Sequence, residues 1–280
     1  MPASSNAISN KTISELRPNI VLRGSRQREH WAAVDERLVP TKPNPAIRKL
    51  ERLVALSAAD REWLERVEAE ARPVSARTDL MSEGSDPDGA ILILEGIACR
   101  HKHRANGRRQ ITAYLLPGDV SDLEAVFQDR MPQGVSTITP CRIARLSPRT
   151  LSESVHQSQA LSQAARILSL IDEATYGEWL LNLGCRSGVE RLAHLICELF
   201  HRLRAVGLTT GNSFSLPVTQ LDLAHTLGLS GVHTNRSPQE LRHQRVIRLA
   251  ERRLTILDLP RLTAIAEFDP SYLNLAPGGG

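Results

Sequence analysis

The chain has 280 residues, with 35 Lys and Arg against 31 Asp and Glu, a net charge of +4, 41% hydrophobic and 24% charged residues. That balance is globular and about two domains long, which excludes wholesale disorder and collagen-like repeats. No apolar run reaches the roughly 20 residues of a membrane span, and the first 30 residues lack the apolar core of a secretory signal. Four cysteines without a CxxC pair give neither a zinc ribbon nor a disulfide scaffold, so a reducing cytoplasm is the expected compartment.

Residues 1–45 are rich in Ser, Asn and Arg, close with Pro40, Pro43 and Pro45, and read as a poorly ordered, solvated extension. Residues 46–150 follow. Ser57 with Asp60 is a capping box, and Leu64 and Val67 then recur at helical spacing. From Val74 to Leu146 short apolar runs alternate with turn residues: Ile91–Leu94, Ile97–Cys99, Ile111–Leu116 and Ile138–Leu146. Asn106-Gly107 between two of them supplies the positive φ angles of a tight hairpin, so the region is expected to form a small antiparallel roll. His101 and His103, interleaved with Arg100, Lys102 and Arg104, read as exposed strand ends rather than haem ligands.

After Pro148 the pattern turns helical. Over 151–184 Leu161, Ala164, Leu168, Ile171 and Thr175 follow a 3-4 alternation that makes a short coiled-coil seam. Ser187 with Glu190 starts another helix, striped by Leu192, Leu195, Ile196, Leu199 and Leu203 and ended by Gly207. On its opposite face stand His194, Cys197 and His201. They could hold a metal only with a fourth ligand from elsewhere, so packing is the expected use and no metal is assigned.

Residues 185–270 carry the sharpest signal. Thr219 and Asp222 form a capping box, Leu223 and Leu227 point inward, Ala224 is small enough for a helix to cross, Gly228 permits a left-handed turn, and Ser230 starts the next helix. This is the grammar of a helix-turn-helix. Val246–Leu249 and Leu254–Leu257, separated by AERR, read as a wing. Between Arg191 and Arg261 ten arginines face five acids, a larger positive surplus than the whole chain has, as a nucleic-acid partner requires. Residues 271–280 are left as a tail. No GxSxG, P-loop, HExxH or paired-carboxylate pattern suggests an enzyme.

The segments LILEGIACRHKH, GRRQITAYLLPGDV, ERLAHLICELFHRL, LPVTQLDLAHTLGLSGVHTNR, LTILD and IAEFDPSYL resemble, in order and across about residues 46–275, the Crp/Fnr-type bacterial transcription regulators. The resemblance implies an α+β chain: a cyclic-nucleotide-binding-like β-roll as sensor, a long dimerisation helix, and a C-terminal winged helix-turn-helix. It implies a homodimer on a pseudo-palindrome of double-stranded DNA, with RNA polymerase as a further partner and no membrane. In such proteins the second helix of the motif reads the major groove. Here it starts at Ser230 and brings Val232, Asn235 and Arg236 to one face: Arg236 suits guanine, Asn235 adenine, Val232 a thymine methyl. Thr219, Gln220, His233 and Arg242 are expected on phosphates.

Two departures matter. Relatives carry a pattern like TSVHVNRTLQ where this chain reads SGVHTNRSPQ. Gly231, Thr234 and Pro238 each lower helix propensity, Pro238 by about 3 kcal/mol, which predicts a recognition helix kinked or shortened near Ser237. A ligand-binding or interaction module with weakened or lost DNA binding is the alternative reading. In the sensor, the family's ribose and phosphate positions fall near Asp122–Leu123 and Gln133-Gly134, without the phosphate-binding arginine. Cyclic AMP is therefore not the expected effector. Gly118, Asp119, Asp122 and Arg130 remain candidate pocket residues, the first two more as a turn. An iron–sulfur cluster is excluded because residues 1–98 hold no cysteine, and no cofactor is assigned.

Overall fold

The chain enters its first helix through a built cap. Asn44 is buried, its side chain accepts from the Ala46 and Ile47 amides, and Pro45 opens helix α1 (Pro45–Leu50). Asn as cap and Pro at the first position are what a helix start favours, so the segment expected to be a tail through residue 45 ends earlier. The computed structural model describes residues 44–123 and 128–275, apart from the side chains of residues 231–233; the rest of the 1–45 extension and the last five residues of the 271–280 tail lie outside the described residues. Helix α2 (Ala58–Ala69) starts at the expected Ser57–Asp60 capping box, with Leu64 and Val67 buried.

Eight strands follow: β1 (Arg72–Val74), β2 (Asp79–Met81), β3 (Ala90–Glu95), β4 (Ala98–His103), β5 (Arg109–Leu115), β6 (Val120–Ser121), β7 (Gly134–Thr137) and β8 (Cys141–Leu146). They make two antiparallel four-stranded sheets, ordered β1-β8-β3-β6 and β2-β7-β4-β5. The alternation of β3 explains its continuous apolar run. Ile91 and Ile93 point into the roll with Ala98, Leu115, Val135 and Ile143, while Ala90, Leu92 and Leu94 point out onto the helices. The β4–β5 hairpin turns at Asn106-Gly107, but only Gly107, at φ +79°, takes the positive φ expected of both; its amide donates to Arg104 O at 2.9 Å. The run read as continuous from Ile138 to Leu146 is broken at Thr139-Pro140, where Pro140 cannot donate to a ladder. His101 is not an exposed strand end. The β4–β5 register slips between Arg100 and His101, and both consecutive side chains are buried.

The helical region is two helices. Helix α3 (Pro148–Gln157) stops at Ser158, whose backbone is extended and whose hydroxyl caps α4 (Gln159–Cys185) by accepting from the Leu161 amide. The seam expected between two copies lies inside one. Leu161, Ala164 and Leu168 pack with Leu92, Leu94, Leu146 and Leu151, Thr175 is buried, and Ile171 is half-buried. Helical periodicity marks a buried face but not what buries it. The face α4 leaves in solvent is another stripe, with Arg166, Leu170, Glu173, Gly177, Leu180 and Gly184 exposed at alternating steps of four and three.

Helix α5 (Gly188–Ala205) begins at the Ser187–Glu190 capping box and buries its predicted leucine stripe. Beyond it come β9 (Ser213–Ser215), α6 (Gln220–Leu227), α7 (Gly231–His243), β10 (Ile247–Ala250), β11 (Arg253–Ile256) and α8 (Leu259–Ala266). The wing turns through Glu251 and Arg252, both at positive φ, and β9 adds a third strand that the sequence pattern did not signal. Helix α7 runs on through Pro238 to His243 and is not shortened near Ser237. Thr234, Ser237, Pro238 and Leu241 all face inward and are buried. Ser237 Oγ lies so near α5 that a Cβ on Gly188 would stand 3.0 Å from it. Tertiary packing here outweighs the intrinsic cost of one proline. Of the residues expected as a tail, 271–273 are packed: a 3-10 turn (Pro270–Leu273) buries Leu273 and directs the Tyr272 hydroxyl onto Glu198 at 3.2 Å.

Candidate DNA interface and effector cavity

The motif helices α6 and α7 are joined as the sequence implies. Gly228 takes the left-handed conformation at φ +63°, and Leu223, Leu227 and Leu241 close the interior. With one face of α7 turned inward, Asn235, Arg236, Gln239, Arg242 and His243 are exposed on the other. Residues 235, 239 and 242 are seven residues from end to end, two turns of helix, so they line one side. Asn235 and Arg236 stand where base contacts were expected, and Arg242 shares their face. Gln239 and His243 were missed, although the same spacing extended by one turn marks them. The side chains of Val232 and His233 lie outside the described residues.

At the rim, Gln220 is exposed at the first position of α6, and Ser230 is exposed with no capping bond from its side chain. Thr219 differs from expectation. Its hydroxyl donates to Asp222 Oδ2 at 2.7 Å and accepts from the Asp222 amide at 3.1 Å, so the capping box uses it fully. The same carboxylate takes both arms of Arg77, from the β1–β2 turn, at 2.6 and 2.7 Å. Tyr114 and Thr226 share a hydroxyl contact at 2.7 Å, and the Gln110 amide donates to Thr226 O. The roll and the first motif helix therefore meet through a partly buried polar seam.

A second seam joins the roll to α5. Asp119 is buried between Lys49 and Arg202, and Arg202 reaches on to Glu198 at 2.8 Å, which also accepts from Trp179 Nε1. Burial pushes the Asp119 carboxyl up, but Lys49 and Arg202 hold it down at about 2. Arg48 of α1 and Arg52, just beyond its end, donate to the Val206 and Ala205 carbonyls and so satisfy the end of α5. Asp119 is thus structural, and Gly118, at φ +91°, is packed against Pro45. Neither lines the large cavity between the roll and helices α3 and α4.

Between the roll and helices α3 and α4 lies an open cavity of about 1050 Å³. Of the candidate effector residues Asp122 lines it, whereas Arg130 is exposed and paired with Asp86 at 2.7 Å. The wall is organised by Arg100, which donates to Asp172 at 2.8 Å and to the Tyr176 hydroxyl at 3.4 Å, with its Nε 3.7 Å from Asp122. Burial opposes the Arg100 charge, and Asp172, Tyr176 and Asp122 more than restore it. Burial raises Asp122, against the pull of Arg100. Arg100 Nε, Asp122 Oδ2 and Gln128 Oε1 are buried there with no hydrogen-bond partner among the described residues. Gln133, near the family's phosphate position, accepts from Thr112 and donates to Tyr176. Arg100, Asp172 and Tyr176 had no sequence signal, because they come together only when β4 packs on α4.

The face with His194, Cys197 and His201 serves packing. His194 stacks on Tyr272 and meets Phe268 edge-on, and His201 stacks on Phe268. Burial pushes Cys197 up to about 12, opposite to a reactive thiol, and holds His194 down at about 4 with help from Arg186. Among the described residues no group of three or more His, Cys, Asp or Glu could hold a metal ion, and no helix is long and apolar enough to cross a membrane.

Comparison with known proteins agrees with this layout. Residues 71–158 match the cyclic nucleotide-binding domain family, and residues 190–265 match the Crp-like helix-turn-helix domain. The chain is 29% identical over 225 residues to the transcriptional activatory protein AadR of Rhodopseudomonas palustris, covering 79% of this chain and 91% of that protein. It is 25% identical over 195 residues to the transcriptional activator protein FnrL of Cereibacter sphaeroides, covering 68% and 78%. Its fold is similar to that of FixK2 from Bradyrhizobium japonicum, with a TM-score of 0.62 and 20% identity over 70% of this chain and 96% of that one.

Proposed function

The chain belongs to the Crp/Fnr family of transcriptional regulators, and from that premise we propose that it is a cytoplasmic homodimer that reads a pseudo-palindromic operator with α7. The observation that carries this reading is the uninterrupted α7, with Asn235, Arg236, Gln239 and Arg242 exposed along one side of it. Arg236 and Asn235 read base edges; Gln220, the Ser230 hydroxyl and Arg242 grip phosphates. The alternative, a ligand-binding or interaction module with weakened or lost DNA binding, rested on a helix kinked or shortened by Pro238; the full thirteen-residue length of α7 favours the DNA-reading proposal over it.

The two copies associate through the solvent stripe of α4 rather than through Leu161, Ala164 and Leu168. Leu170 and Leu180 are 63% and 75% exposed, and Gly177 and Gly184 have open space beside them. Two recognition helices then sit about one helical turn of DNA apart. The effector site is the cavity under α4. Its wall carries Asp122, Asp172 and Glu173 against Arg100 and Arg166, and Gln133 is committed within the protein, which fits a cyclic phosphodiester badly. Any ligand that completes Arg100 Nε and Asp122 Oδ2 bears directly on α4 and so on the spacing of the two readers.

Sedimentation tests the assembly. The unaltered chain should run as a dimer and Leu180→Asp as a monomer with intact secondary structure and much weakened operator binding. A dimer that survives Leu180→Asp contradicts the assignment of the interface. On duplex DNA, Arg242→Ala should lower affinity about uniformly across sequences and reduce the salt slope by about one.

A further inference from the structure

Asp222 holds two posts that conflict with its position. It is the third residue of α6, and its carboxylate accepts from the Thr219 amide at 2.8 Å to close the capping box. The start of this helix is also where a helix-turn-helix approaches the DNA backbone, with Gln220 exposed beside it. A bare carboxylate one turn from a gripped phosphate works against the helix dipole that attracts that phosphate.

Arg77 removes the conflict. It comes from the β-roll, far away in sequence, and covers Asp222 with a two-armed pair at 2.6 and 2.7 Å, while Asp222 itself is buried. Burial would raise the Asp222 carboxyl, but Arg77 and Thr219 hold it below its usual range, so it stays charged and needs the guanidinium. The turn that presents Arg77 is fixed. Its amide donates to Thr137 O at 3.0 Å, and its φ of +61° lies in the left-handed region that favours glycine.

We propose that Arg77 is a positioning residue for DNA binding: by neutralising Asp222 it lets the N-terminus of α6 hold a DNA phosphate, and it thereby makes DNA affinity depend on the docking of the β-roll against the motif. When the roll shifts away from α6, Asp222 loses its cover and repels the backbone. The inference rests on the DNA-binding reading and adds to it a route by which the sensor reaches the reader without moving α7.

The test is a charge-removal cycle on the full-length chain, titrated against a fluorescent duplex containing its selected site. Arg77→Ala should weaken binding about five- to tenfold, the scale of one uncovered charge near a phosphate. Asp222→Asn, whose amide oxygen can still accept from Thr219, should restore most of that loss in the double variant. The salt slope should stay within half a unit of the unaltered chain, because Arg77 is not itself a phosphate contact. A slope lower by about one with no rescue by Asp222→Asn would make Arg77 a direct contact and overturn the inference. Unchanged affinity in Arg77→Ala, or a loss that Asp222→Asn does not repair although the thermal transition is intact, overturns it as well. Failure of the unaltered chain to bind any duplex defeats the DNA-binding reading, and the inference falls with it.

Discussion

The reader and the sensor of this chain are built on opposite principles. The winged helix is closed by fully buried apolar side chains, among them Phe214, Leu227, Leu241, Val246 and Leu254, with Thr226, Thr234 and Ser237 buried beside them. The cavity under α4 is walled by the buried Arg100 guanidinium and Asp122 carboxylate, whose Nε and Oδ2 have no hydrogen-bond partner among the described residues. Apolar burial gives a reader that keeps its shape whatever the state of the protein. A half-satisfied polar wall leaves free energy for a ligand to recover, since unmet buried polar atoms cost about 1–3 kcal/mol each.

The largest effect should come from breaking the polar wall. Arg100→Leu strands Asp122 as a buried unpaired charge and should cost about 3–5 kcal/mol in denaturant unfolding. Adding Asp122→Asn should recover much of this. Asn tolerates the positive φ of 51° there, which a leucine would not. If the double variant is no more stable than Arg100→Leu, the wall is not held by charge. On the apolar side, Leu241→Ala should cost about 2–5 kcal/mol without any such rescue, because a cavity has no partner charge to delete.

Acid should reach the interior next. His194 is held at about 4 against an ordinary 6.5, so the folded state disfavours its proton. That group's contribution to stability is complete above pH 6.5 and is lost as pH falls toward 4, by about 3 kcal/mol. His194→Phe, which keeps a ring between Phe268 and Tyr272, should flatten stability over this window; an unchanged slope assigns the effect to another group. The smallest effect is the most local. Arg236→Ala should cost about 1–3 kcal/mol of operator affinity and relax specificity at one base pair, with folding untouched.

The two regions also differ in how far their sequence could be read. In the reader each step is local: Thr219 caps with Asp222 three residues on, Gly228 turns, and the 3-4 spacing from Asn235 and Arg236 marks the exposed face. Even there local rules misjudged Pro238, since its cost is a property of the isolated helix and its burial a property of the packed one. In the sensor the strands and the Asn106-Gly107 turn were legible, but the site was not. Arg100 and Asp172 are 72 residues apart, and the slip at Arg100 that turns two neighbours inward leaves no trace in composition. The same limit misassigned α4. Its buried stripe of Leu161, Ala164 and Leu168 and its exposed stripe of Leu170, Gly177 and Leu180 share one period, and only the fold says which of them faces the roll.

The central claim is that α7, unbroken by Pro238, reads DNA. Selection of bound duplexes from a random-sequence pool by the purified chain, with sequencing of what is retained, tests it most directly. The account predicts a two-fold-symmetric motif with half-sites about one helical turn apart, bound with an affinity that falls steeply as salt rises. Retention without sequence enrichment at any salt concentration would contradict it.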